Sequence, residues 1–445
     1  MTIEKILITE EEKNNMIPYK AYIITSIIII KLIENYFNFR QYRRLKENRP
    51  IPKELISVGL EQSKHEESQK FSLAKIKILM ISNFIQNTVN ILFIYYNINP
   101  IKYDIAKRLC VNIPYIKFNP ENEYGPLFCF IFLEFILLKI IDLPFKLYET
   151  FIIDEKFGVN KSTLKRFIID QIKTFILTLI ILPIFITLLI YIIIKGGKYF
   201  YIFAEIFAII IGLISIWVYP NFILPLFNNL KEIEDGNLKN GITKLAKQLN
   251  YPLKKIYEMD ASQRSAQSSV YFTGLWKDKR IILYDNLIKN LDYKEIEGLT
   301  AHELGHWINW HGVFLLVISF TNFFIRFFLL QFFINEEGIY ISFGFEQKSI
   351  FVGLYLFYII HSPVSFFMNV MLNFFMRKIE YQGDKFACDL GYGDYLVKAL
   401  CKLSESNKTD FDPDPFYSMV KYPRPTLIER VRAINHYQNA KKKSK

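Results

Sequence analysis

The sequence predicts an α-helical polytopic membrane protein, with seven transmembrane helices and a folded α+β part on the cytosolic side, and three observations carry that expectation. Hydrophobic residues make up 51% of the 445 and aromatic ones 16%, and they fall in long uninterrupted runs. Seven of these runs can cross a bilayer, since about 20 apolar residues rising about 1.5 Å each match a hydrocarbon core of about 30 Å. Outside them, two stretches, 227–312 and 376–445, are long and mixed enough to fold in water.

The spans are expected at 17–36, 76–98, 127–145, 172–194, 199–224, 313–335 and 350–375, and Asn83, Gln86 and Asn90 make the second the least apolar. The opening "MTIEKILITEEEKNN" is acidic and polar, without the basic start or cleavage site of a removable signal peptide, so the first span reads as a signal anchor. Lys and Arg number nine in 37–75 and five in 146–166, against four in 99–126, two in 195–198 and one in 336–349. The heavier loops belong in the cytosol, which puts the N-terminus in the lumen and the C-terminus in the cytosol. The expected organisation is a five-helix membrane region over 1–226, a first cytosolic part over 227–312, helices six and seven over 313–375, and a second cytosolic part over 376–445.

The net charge of +12 borders the membrane spans, so anionic lipid headgroups, and not nucleic acid, are the expected counter-charge. Cys110, Cys129, Cys388 and Cys401 form no C-x-x-C pair and are expected as free thiols. Glu134, Lys139, Asp142, Glu205, Arg326 and His361 lie inside the spans, where each is costly against lipid. Either they pair between helices or the seven helices enclose a polar, water-filled chamber.

In the first cytosolic part, Leu238, Ile242, Leu245, Ala246 and Leu249 have the spacing of an amphipathic helix ended by Asn250 and Pro252. Three short strands follow, over "KKIYEMDAS" and "SSVYFTGLWKDKRIILYDNLI", with a turn around Lys277 to Lys279. "YKEIEGLTAHELGHWIN" is then helical and carries His302, Glu303 and His306. Residues i and i+4 of a helix share one face about 6 Å apart, so both imidazoles can reach one Zn²⁺ ion, while Glu303, turned by about 100°, can reach a water on it. The order helix, strands, H-E-x-x-H helix is that of zinc metalloprotease domains.

A catalytic zinc needs a third protein ligand and an open position. His311, nine residues past His302, is expected on the opposite face of the same helix as an interfacial residue. His361, before Pro363, reads as a helix-interface histidine, and His65 and His436 lie in polar surroundings with no partner motif. A carboxylate is the better candidate, and "RKIEYQGDKFA" offers Glu380 with Asp384 on the same helical face.

"AHELGHW" paired with "EYQGDKFACDLGY" resembles the type I CaaX prenyl endopeptidases, membrane zinc proteases that act on prenylated substrates. The resemblance extends in order through "FNFRQYRRLK", "YETFIIDEKFGVNKST", "YPNFILPLFN", "MDASQRSAQSSVYFTG", "KRIILYDNLI" and "PTLIERVRAI". It implies one zinc held by His302, His306 and Glu380, Glu303 as base, and Asp384 orienting a ligand histidine. Two places depart from the family. Where it reads "HSNAYF" this chain has Gln267, Ser268, Ser269, Val270, Tyr271 and Phe272, a segment that resembles an edge strand to which an extended substrate adds by main-chain bonding, with Ser268 to Tyr271 as the binding residues. Where it has His-Pro this chain has Arg424 and Pro425, so the oxyanion falls to Arg424, or to Arg430, which does match.

The implied reaction is removal of the last three residues of a prenylated C-a-a-X terminus, with a second upstream cut in some substrates, by a monomer in contact with membrane lipids. A membrane quality-control protease of the heat-shock type resembles the chain at the zinc motifs but has fewer spans. A catalytically impaired scaffold is prompted by the altered positions 267–269 and 424, and the intact H-E-x-x-H speaks against it. Lys442 and Lys443 in the terminal "KKKSK" resemble a dilysine retrieval signal, so the endoplasmic reticulum membrane is the expected residence, with the nuclear membrane as a further location.

Overall fold

The computed structural model describes residues 4–5, 17–47, 49–112, 122–274 and 278–443. Each of the seven expected runs is helical: α1 (Tyr19–Lys46), α2 (Gln62–Tyr95), α3 (Tyr124–Tyr148), α4 (Leu164–Gly196), α5 (Phe200–Val218) and, further on, His311–Phe333 and Ile350–Asp389. Among the described residues, five helical runs are long and apolar enough to cross a membrane: α1, α2, the run 164–227, and the last two helices. The run 164–227 joins α4 and α5 through a single 3-10 turn at Gly197–Tyr199. There Gly197 takes φ +53°, a backbone that only glycine adopts without strain, and the chain folds back so that Phe207 of α5 stacks on Phe185 of α4 at 5.3 Å. Leu189, Ile193, Ala204 and Ala208 share one buried cluster between them.

Several of the charges inside the spans find partners. Glu134 pairs with Lys102 from the helix Ile98–Val111, Lys139 donates to Gln171 at 2.8 Å, and Asp142 meets Lys146 at 2.8 Å. His361 bonds Ser365 at 2.9 Å one turn along its own helix, a contact that leaves the expected helix-interface role untested. Glu205 Oε2 and Arg326 Nε are buried without a hydrogen-bond partner. A cavity of about 960 Å³ opens among α1, α2, α3 and Ile350–Asp389, with Glu34, Gln86, Glu134, Asp142 and Tyr355 in its wall. All four cysteines are buried free thiols, as their spacing suggested.

Outside the long apolar helices, the fold is built on α6 (Asn237–Gln248) and four strands, β1 (Leu230–Glu232), β2 (Leu253–Met259), β3 (Val270–Thr273) and β4 (Lys279–Tyr284). They lie in the order β1-β2-β4-β3, with β2 and β4 parallel and the outer pairs antiparallel. β1 is one strand more than the sequence suggested, because three residues with two charges carry no alternation and gain strand geometry only by pairing with Tyr257 to Met259. The turn expected at Lys277 to Lys279 falls partly on residues 275–277, outside the described residues. Alternation sorts the sheet's two faces: Ile281 and Leu283 join the main core, while Ile282 packs with Met259 on the other side.

Against the core face lies α7 (Tyr293–Ile308), the H-E-x-x-H helix, and its start is fixed by a capping box between Asp292 and Glu295. α8 (His311–Phe333) returns to the apolar region, and α9 (Ile350–Asp389) runs for 40 residues from there through Pro363 into the core that holds α7. α10 (Gly393–Ser406), α11 (Pro415–Lys421) and α12 (Leu427–Lys443) follow α9 and pack beside it. His65, read as polar-surrounded, is instead fully buried and stacked on Phe411 at 5.8 Å, because α2 begins beneath the chain that follows α10.

The far end of α9 is held by Glu123, whose buried carboxylate accepts from Ser349 Oγ at 2.7 Å, Ile350 N at 2.9 Å and Phe351 N at 3.1 Å. Glu123→Ala leaves three buried donors without an acceptor and is expected to destabilise the protein by about 3 kcal/mol. The four buried thiols supply the measurement: a thiol-reactive fluorophore reports a lower unfolding temperature, and an unchanged one removes Glu123 from the account.

Candidate metal centre

α7 is unusual among the water-exposed helices in being buried nearly all round: Ile296, Leu299, Ala301 and Leu304 join the main core while His302 points into the gap between α7 and α9. The gap is narrow because α9 carries glycine at 383, where a Cβ would stand 2.9 Å from the His302 ring. One turn before it, Glu380 turns its carboxylate to the same gap, and Asp384 follows one turn after Glu380.

The ligand atoms converge. His302 Nε2 lies 3.1 Å from His306 Nε2 and 3.5 Å from Glu380 Oε2, and Glu380 Oε1 is 3.9 Å from His306 Nε2. One atom from each residue fits within 4.8 Å of the others. Four-coordinate zinc with bonds of about 2.0–2.1 Å spaces its ligands by about 3.3 Å, so the set fits such an ion. Glu380 Oε2 supports the fit, being a buried carboxylate oxygen with no hydrogen-bond donor.

The surroundings fix each ligand. Asp384 Oδ1 lies 2.9 Å from His302 Nδ1, which directs that ring's proton to Asp384 and leaves Nε2 with a free lone pair. Arg430, from α12, donates through Nε to Asp384 Oδ2 at 2.9 Å and through Nη2 to Oδ1, with Nη1 3.7 Å from Glu380 Oε2. Its side chain is only 9% exposed, whereas that of Arg424 is 62% exposed and sets Nε 3.2 Å from Glu380 Oε1. Arg424 is itself steadied by Arg377, which donates to its carbonyl at 3.2 Å and grips Glu429 with two bonds of 2.7 Å.

Burial and the Arg430 charge pull His302 down, but Asp384 and Glu380 outweigh them and hold it at about 9; a field that favours a proton there favours a divalent cation as well. Burial, and then the His302 charge, pushes His306 to about 3, so its imidazole is neutral and free to ligate. Burial raises the carboxyl of Glu303, the direction that suits a group that must take up and return a proton.

Ser268 to Tyr271 lead into and form β3, the outer strand of the sheet. Ser269 accepts from Tyr284 N at 3.2 Å and Val270 stands opposite Leu283 in β4. Phe272 packs on Tyr251 at 5.7 Å, and Tyr251 on Trp307 of α7 at 5.0 Å, so the strand runs beside the H-E-x-x-H helix.

Two residues escaped the sequence reading. His311 does not share a helix with His302: α7 ends at Ile308, Trp310 takes a left-handed turn at φ +55°, and α8 starts with His311 folded back so that its Nδ1 lies 2.9 Å from His306 Nδ1. It stands to His306 as Asp384 stands to His302. Nothing local announced the turn, since tryptophan is a poor left-handed residue. Asn407, at the end of α10, bonds Ser268 N at 2.7 Å and Ser268 O at 3.1 Å, a contact across 139 residues with no sequence signal.

Helices fit for a membrane, together with an H-E-x-x-H helix whose ligand atoms meet a distant glutamate, define a multi-pass membrane metallopeptidase. Residues 41–229 match the family model described as CAAX prenyl protease N-terminal, five membrane helices, and 232–438 match Peptidase family M48. Similar curated proteins are the CAAX prenyl protease 1 homolog of Oryza sativa, 35% identical over 96% of this chain and 99% of the relative, and CAAX prenyl protease 1 of Saccharomyces cerevisiae, 31% identical over 96% and 97%. The crystal structure of S. mikatae Ste24p superposes with a TM-score of 0.86 at 32% identity, covering 94% of this chain and 99% of that one. The chain belongs to the CAAX prenyl protease 1 family of M48 metalloendopeptidases.

Asp384→Asn and His311→Ala each remove the partner that orients a ligand imidazole, and each is expected to weaken zinc binding by about 10–100-fold. Competition with a chelator of known affinity measures it, and an unchanged affinity in either variant dismisses that residue from the centre.

Proposed function

We propose that the protein is a zinc-dependent endopeptidase that removes the last three residues of prenylated C-a-a-X termini, with a second upstream cut in some substrates. The observation that carries this reading is the meeting of His302, His306 and Glu380 ligand atoms within 4.8 Å, in a chain 31–36% identical to proteins named for that activity. His302, His306 and Glu380 would hold the ion, which supplies Lewis acidity toward a water and the scissile carbonyl.

The chain's own residues do the rest. Glu303 takes the proton that the attacking water gives up and passes it to the leaving amine. Asp384 and Arg430 lock the His302 ring, and His311 locks His306. Arg430 has its donors committed to Asp384, so Arg424, exposed and fixed beside Glu380, is the better placed to face the developing oxyanion. β3 offers main-chain groups for an extended peptide.

Seven crossings around a chamber, of which the 960 Å³ polar cavity would be one part, suit a lipidated peptide, because the prenyl chain keeps apolar surroundings while the peptide enters water. The reading includes residence in the endoplasmic reticulum membrane as a monomer, with metal centre and C-terminus on the cytosolic side, in keeping with the basic loops and Lys442 and Lys443.

Glu303→Gln keeps the metal and is expected to lower the cleavage rate by at least about 10²-fold, read by mass spectrometry of a farnesylated peptide. Full activity in that variant refutes the base. Matched farnesylated and unlipidated peptides test the substrate class, and equal cleavage of both would sink the prenyl requirement.

A further inference from the structure

Where α7 ends and α8 begins, a groove of about 540 Å³ opens between the turn and α9. Its volume is that of a small-molecule site, about 300–1,000 Å³, and its wall changes character from one end to the other. One end is apolar: Val313 and Phe314 of α8 face Phe375 of α9, with the Phe314 and Phe375 rings 6.0 Å apart. These residues are the first of the apolar run 313–335 and the last of the run 350–375. The other end is polar, with Asn309 before the turn and Lys378 and Gln382 further along α9. The change falls where the apolar runs stop, so the groove crosses the level at which hydrocarbon gives way to headgroups.

Its charge and its exposure both select an occupant. Among the described residues Lys378 makes neither ion pair nor hydrogen bond, while Arg377 beside it is committed to Glu429. No acidic side chain lines the groove, so a negative charge there meets Lys378 unopposed. Trp310 stands 71% exposed at the rim, and Val313 and Phe314 are exposed below it, which opens the groove sideways along the outer face of α8. An indole with its ring toward hydrocarbon and its N–H toward water is suited to that level. His311 forms part of the inner wall and stands on the Nδ1 side of His306, away from the converging Nε2 atoms. The groove is therefore apart from the place where a peptide meets the metal ligands.

We propose that this groove binds one anionic phospholipid, with the headgroup phosphate at Lys378, the amides of Asn309 and Gln382 beside it, and an acyl chain laid along Val313, Phe314 and Phe375. A zwitterionic lipid fits the apolar end as well, but it brings its own ammonium close to Lys378 and gains less from the lysine. The site goes beyond the peptidase reading and stands without it, since it needs only that α8 and α9 lie in a bilayer.

The test uses the full-length protein in phosphatidylcholine nanodiscs that carry a small fraction of lipid brominated on its acyl chains, either phosphatidylglycerol or phosphatidylcholine. Bromine quenches a tryptophan it touches, and subtracting the emission of Trp310→Phe isolates Trp310. Brominated phosphatidylglycerol is expected to quench Trp310 at about fivefold lower concentration than brominated phosphatidylcholine, the effect of one lysine at an anionic surface. Lys378 is exposed, so its replacement leaves the packing intact: Lys378→Gln should remove most of the preference and Lys378→Arg should keep it. Lys165→Gln, at an exposed lysine at the start of α4 outside the groove, should leave it unchanged. Equal quenching by the two lipids in the native protein overturns the site. A loss in Lys165→Gln as large as in Lys378→Gln also overturns it, because the preference then comes from charge spread over the whole surface. A farnesylated peptide should not relieve the quenching; if it does, the groove takes the substrate's prenyl chain and the phospholipid site is overturned. Native mass spectrometry gives a reading free of fluorescence. The native protein should retain one phosphatidylglycerol several-fold more often than Lys378→Gln does, and equal retention overturns the site.

Discussion

Everything at the centre depends on how closely α7 and α9 approach at one point. Gly383 lets the His302 ring sit against the α9 backbone, and that contact puts Glu380 and Asp384, a turn apart, on the two ring nitrogens. A methyl group at 383 would have to displace the ring, and both carboxylate contacts would go with it. The candidate metal site is thus a property of a helix pair, and Leu299, Ala301, Leu304 and Ala387 pack in one core around it.

The charges around that point form a closed set. Two carboxylates and a guanidinium, each nearly buried, would be costly alone, and they are tolerated because Arg430 spans Asp384 with two bonds while Glu380 keeps one oxygen for Arg424 and leaves the other unbonded. The unbonded oxygen marks where the set is unfinished. A divalent cation held by His302, His306 and Glu380 would supply the missing positive charge, and the spacing of the three donors suits one.

How far the sequence revealed this follows the range of the interactions. His302, Glu303 and His306 are one helical turn and could be read from spacing alone, and the apolar runs announced their helices because a bilayer imposes length and composition. Glu380 and Asp384 share a helical face and were offered from the sequence as the third-ligand carboxylates, and the family resemblance then assigned their roles, Glu380 lying 74 residues past His306. His311 was misplaced because a left-handed tryptophan breaks the helix that periodicity continues. His65 was misjudged because its polar neighbours in sequence lie along a helix whose inner face is covered by Phe411. Asn407 was invisible because a side-chain amide standing in for a strand leaves no pattern.

The chain after α10 is tied to the end of α1 by a cluster of ion pairs. Arg44 and Arg49 converge on Asp412 at 2.7 and 2.6 Å, Arg40 meets Asp414 at 2.9 Å, and Gln41 joins Asp410 to the Asp414 N–H. A single exposed ion pair contributes about 0–1 kcal/mol, but these share partners and are largely covered, so they act as one network. The segment they hold leads directly into Arg424 and Arg430, and it also lies just after Asn407. The first membrane helix therefore sets the position of residues that face the metal site and of the amide that bonds Ser268. The end of α1 and the chain after α10 are remote in sequence, yet these contacts join them directly. A fragment without α1 would lose the partners of Asp410, Asp412 and Asp414, and with them the hold on the chain that leads to Arg424.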